Sequence, residues 1–92
     1  MSLESLSNEV ELADQANQLK NNAVLKDAFV RLEKEYTKAL LDCKANEDLE
    51  RFRITEAIKA IHIVQEHINL IVEYGKLARK KLDELKGKKS FL

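Results

Sequence analysis

The chain of 92 residues has no proline, two glycines (Gly75 and Gly87) and one cysteine (Cys43), and 16 basic residues balance 16 acidic ones. It lacks the turn formers that sheets and phosphate-binding loops need. It excludes an internal disulfide, and its neutral sum argues against a polyanion mimic or a wholesale nucleic-acid binder. A chain this short makes one small domain that buries only about two thirds of the surface exposed on unfolding, so an all-α domain helped by a partner copy is expected.

The opening Met1-Ser2-Leu3-Glu4-Ser5-Leu6 has no basic region followed by an apolar run and is not patterned as a secretory signal. A first helix is expected over residues 3–20. Leu3, Leu6, Val10 and Ala13 recur at helical spacing, Ser2 is available as a cap, and Glu4, Glu9 and Glu11 sit near the positive end of the helix dipole. Its apolar face is thin. The stripe then slips by one residue at Asn21-Asn22, where either asparagine can cap a helix end. A second helix is expected over 23–45, with Leu25, Phe29, Leu32, Tyr36, Ala39 or Leu40, and Cys43 on one face.

The third helix is expected over 47–86, with Asn46 as N-cap, Glu47, Asp48 and Glu50 in its first turn, and Gly87 as its stop. At 1.5 Å rise per residue it is about 60 Å long. Residues 87–92 read as a flexible tail, and Ser90-Phe91-Leu92 is either a docking peptide or a frayed end. The most apolar stretch, 57–72, is interrupted by Lys59, His62, Gln65, Glu66, His67 and Asn69 and is not a membrane span. A soluble protein of the cytoplasm is expected.

One stripe dominates the third helix: Ala57, Ile61, Val64, Ile68, Ile71, Gly75, Ala78, Leu82 and Leu85 alternate steps of four and three, the a/d seam of a helix packed lengthwise on another. Folding the chain back at Asn46 sets Cys43 against Leu49, Leu40 against Phe52, Leu32 against Ile61 or Ala60, Phe29 against Val64 and Leu25 against Ile68. The result is a long antiparallel, coiled-coil-like helical hairpin. Beyond Ile68 the first helix would lie along the third, with Val10 near Leu82 and with Ala13 and Ala16 near Gly75 and Ala78. Small residues on both sides permit close helix packing. A second stripe, Ile63, His67, Leu70, Tyr74 and Leu77, lies roughly 110° around the same helix. A hairpin has one inner face, so this stripe is a candidate oligomer interface unless the first helix covers it.

Candidate chemistry is sparse. His62 and His67 are five residues apart and point to different sides of the helix, so they do not make the i, i+4 pair of a helical metal site. Cys43 reads as a core thiol, His62 as a solvated residue near Glu66, and His67 as a polar member of the second stripe. With no nucleophile–base pair and no glycine-rich loop, the expectation is a protein without catalytic residues, metal or cofactor.

Charge is unevenly spread: the first segment is acidic, whereas Lys76, Arg79, Lys80, Lys81, Lys86, Lys88 and Lys89 crowd the third helix's end. Either the acidic first helix lies along that basic end, or Lys80, Lys81, Lys86, Lys88 and Lys89 contact phosphates without reading sequence. No aromatic interleaves with the run to stack on bases.

Two stretches, Asn21-Asn22-Ala23-Val24-Leu25 leading to Ala28-Phe29, Leu32-Glu33 and Tyr36, and then His67-Ile68 followed by Val72-Glu73-Tyr74-Gly75-Lys76-Leu77-Ala78, resemble a group of small helical proteins of tailed bacteriophages. The architecture is also similar to the oligomerisation core of small terminase subunits, although no helix-turn-helix precedes it. The resemblance implies a phage assembly or DNA-packaging subunit whose partners are copies of itself and a packaging or structural protein. The alternatives are a cytosolic helical adaptor or chaperone that takes a partner helix on the second stripe, and a nonspecific DNA binder through the basic end.

Overall fold

The computed structural model describes residues 2–90, with side chains through Gly87. The described residues form three helices and no strand: α1 (Leu3–Lys20), α2 (Ala23–Leu41) and α3 (Asp48–Ser90). Two compact units share α3 between them. α1 packs with its C-terminal part, and α2 with its N-terminal part.

α1 and α2 each start where a side chain replaces a missing backbone acceptor. The Ser5 N–H donates to Ser2 Oγ at 3.0 Å, and the Leu25 N–H to Asn22 Oδ1 at 3.0 Å. Of the two candidate asparagines, Asn22 is therefore the cap. Asn22→Ala is expected to cost about 1 kcal/mol in denaturant unfolding.

The hairpin turn differs from the expectation. α2 ends at Leu41 rather than near Ala45, and the residue that starts α3 is Glu47 rather than Asn46, its carbonyl accepting from Arg51 N–H at 3.1 Å. Glu47 closes the turn on itself: its N–H donates to the Lys44 carbonyl at 3.0 Å, and its carboxylate accepts the Lys44 N–H at 2.8 Å. Arg51 reaches back across it, donating to the carbonyls of Lys44 (2.6 Å) and Ala45 (3.0 Å) while pairing with Asp48. Side chains long enough to reach several backbone groups thus set the helix start here. At the other end, Gly87 does not stop α3. A glycine ends a helix when it takes the left-handed conformation, no glycine here has positive φ, and the helix runs on to Ser90. Residues 87–90, expected as a tail, are helical, and Phe91 and Leu92 lie outside the described residues.

In the unit built on α2, the half-buried residues include Leu25, Phe29, Tyr36 and Leu40 on α2, Cys43 just after it, and Ala57, Ile58, Ile61 and Gln65 on α3, where Ile54 is buried. The α2 stripe holds, with Leu40 rather than Ala39 turned in and Leu32 at its exposed edge. The α3 face keeps Ala57 and Ile61 from the expected seam and widens to Ile54 and Ile58, which removes more apolar surface from water. Val64 is half-exposed, Gln65 takes the inward place, and Leu49 and Phe52 point outward. His62 Nε2 lies 3.1 Å from Glu33 Oε1 on α2, so it is not simply solvated beside Glu66.

In the other unit, Leu6, Ala13 and Ala16 of α1 are buried along with Val72, Gly75 and Ala78 of α3. Leu6 shares a recess with Tyr74, Leu77 and Ala78, whereas Asn17 and Lys20 share one with Val72 and Lys76, so the helices run antiparallel. At Gly75 they nearly touch. A Cβ built there would stand far inside van der Waals contact of the Ala13 Cβ and 3.4 Å from the Glu9 carbonyl oxygen. The expected meeting of Gly75 with Ala13 is present, and glycine is required there by contact rather than by backbone freedom.

Candidate interface on the outward face of α3

The second stripe is uncovered. Ile63 is 51% exposed, Leu70 37%, Tyr74 56% and Leu77 65%, and His67 is exposed between them. α1 approaches α3 most closely at Gly75 and borders Tyr74 and Leu77 through Leu6 and Glu9 without burying them. Within the α2 unit, Leu49 and Phe52, expected against Cys43 and Leu40, are each 62% exposed.

In the α1 unit the apolar face is also wider. An open recess of about 350 Å³ lies among Leu6, Glu9, Tyr74, Leu77, Ala78 and Lys81. Glu9 borders this recess and also a shallow groove beside Leu12 on α1. Leu12, and Leu19 seven positions on, consequently face the side of Tyr74 and Leu77, and both are more than half exposed. The sequence does not single them out, since a stripe of two leucines on a polar helix acquires meaning only when its neighbour's orientation is known. Exposed large apolar groups thus lie on both helices of this unit, the kind of surface that association covers.

The other candidates resolve as follows. Arg79 pairs with Asp14 across the α1–α3 contact at 3.5 Å, both side chains being mostly exposed, which fits the acidic helix lying along the basic end. Lys80, Lys81 and Lys86 are exposed, and the side chains of Lys88 and Lys89 lie outside those described. Exposed pairs of this kind contribute about 0–1 kcal/mol, so Arg79–Asp14 orients more than it stabilises. The Cys43 thiol donates to the Ala39 carbonyl at 3.3 Å. Among the described residues, no group of three or more His, Cys, Asp or Glu is placed to hold a metal ion, and no helix is long and apolar enough to cross a membrane. Comparison with protein families, curated proteins and solved structures gives no match.

Proposed function

We propose that this chain is a non-enzymatic helical assembly subunit that associates with copies of itself through the outward face of α3. One observation carries the reading: Leu70, Tyr74 and Leu77 of the α1 unit, spaced as a helical seam, stay 37%, 56% and 65% exposed, and Ile63, in the same series, is 51% exposed in the α2 unit. A row of that spacing suits lengthwise packing against another helix rather than a small ligand. His67 supplies the one polar position within it. The phage-packaging context rests on the sequence resemblance alone. A cytosolic adaptor would use the same face for a foreign helix, and the Arg79–Asp14 pair weighs against a dedicated phosphate-binding end.

The test is mass in solution. The parent protein is expected to exceed its monomer mass in light scattering, and the double variant Ile63→Lys/Leu70→Lys to fall to the monomer while keeping its helical circular dichroism. Two ammonium groups in a seam closed to water would each carry a desolvation cost of several kcal/mol. A parent that is monomeric at high concentration would overturn self-association and leave the adaptor reading.

A further inference from the structure

In the α1 unit, the exposed apolar residues of the two helices form matching rows. Leu12 and Leu19 on α1 are seven residues apart, as are Leu70 and Leu77 on α3, and both pairs face the side of Tyr74. The contact of Ala13 with Gly75 fixes the level of one helix against the other. At that offset Leu12 is level with Leu77, and Leu19 with Leu70, each to within a residue. Glu9 and Lys81 border the recess at one end of these rows, and no ion pair among the described residues takes up either. The surface thus joins an apolar row to one charge of each sign at its end.

Two copies meeting face to face on this side are related by a two-fold axis that lies either across the helices or along them. With the axis across, each helix packs on its own counterpart, Leu12 on Leu19 of the second copy and Leu70 on its Leu77. Lys81 then reaches the level of Glu66 and His67, but Glu9 is carried past the end of the second copy's α1. Lys20, near that end, lines the recess on the other side of the unit with Asp14 and Arg79, so Glu9 is left without a cation. With the axis along the helices, α1 packs on α3 of the second copy, and each residue meets the level it already holds in its own chain. Leu12 lies on Leu77 of the second copy, Leu19 on its Leu70 and Glu9 beside its Lys81, each twice by symmetry. The four charges alternate in sign, and every helix runs antiparallel to both neighbours, as in an up-down four-helix bundle. We infer that the α1 unit pairs with its counterpart in a second copy of this chain in this second arrangement, with α1 supplying half of the seam, a reading that rests on the self-association proposed above.

Cross-linking in a Cys43→Ser background distinguishes the arrangements. Gln15, three residues after Leu12 and four before Leu19, and Glu73, placed likewise between Leu70 and Leu77, are exposed beside the two rows. Chains carrying Gln15→Cys, co-expressed with mass-tagged chains carrying Glu73→Cys, are expected to give a mixed dimer with a short bis-maleimide, and either chain alone to give none. Sedimentation of Lys81→Glu is expected to show dimerisation weakened by about tenfold, and Glu9→Lys/Lys81→Glu to restore it. Self-linking of Gln15→Cys or Glu73→Cys without the mixed product would overturn the arrangement while self-association stands. A monomeric parent would remove both.

Discussion

Gly75→Leu is expected to destabilise the α1 unit by at least about 3 kcal/mol, at or beyond the upper end of the range for overpacking a well-packed site. Even a methyl has no room: a Cβ at this position would stand far inside van der Waals contact of the Ala13 Cβ, and Ala13 has no flexible end to swing away. Gly75→Ala therefore sets a propensity gain of about 1 kcal/mol against a displacement of the α1 backbone, and net destabilisation is expected. Denaturant unfolding monitored by circular dichroism, with hydrogen exchange on α1 amides, measures both. Stabilisation by Gly75→Ala would mean that the helices do not approach so closely in solution.

Leu6→Ala is the second large effect, expected at about 2–5 kcal/mol. Leu6 is 1% exposed and is the largest fully buried side chain among those described. Against a total stability of about 5–15 kcal/mol for a domain, that loss is a substantial fraction. Equilibrium unfolding in urea would show it as a fall in midpoint with little change in slope. Its effect should exceed that of Leu12→Ala, because Leu12 is already more than half in water.

The all-helical class, the first helix, the α2 stripe and the meeting of Gly75 with Ala13 were legible in the sequence, each for a local reason. A glycine inside a strongly patterned helix is costly, and its place opposite small residues already pointed to close packing. The widening of the α3 face to Ile54, Ile58 and Gln65 was not legible. Gln65 is polar yet half-buried, whereas the more apolar Val64 is half-exposed, and only the partner helix determines that choice. Leu49 and Phe52 were misplaced for a related reason. Folding back at Asn46 assumes a tight symmetric reversal, but the actual turn is shaped by Glu47 and by Arg51 at the end of the first turn of α3. The interface stripe was visible as a pattern, and its breadth across Leu12 and Leu19 required three dimensions.

The Arg51 clamp also bears on the order in which the fold is acquired. Its reach back to Lys44 spans seven positions, and the Glu47 reciprocal bonds span three, so closing this reversal immobilises little chain. Short-range closure of this sort belongs to the fast, early events of folding. The capture of α1 is different in kind. Ala13 must find Gly75, on the far side of most of the sequence, and the contact exists only after both helices are formed. The turn between α2 and α3 is thus placed to act as a nucleus, and the seating of α1 as a late step whose rate depends on how much of α3 has already propagated.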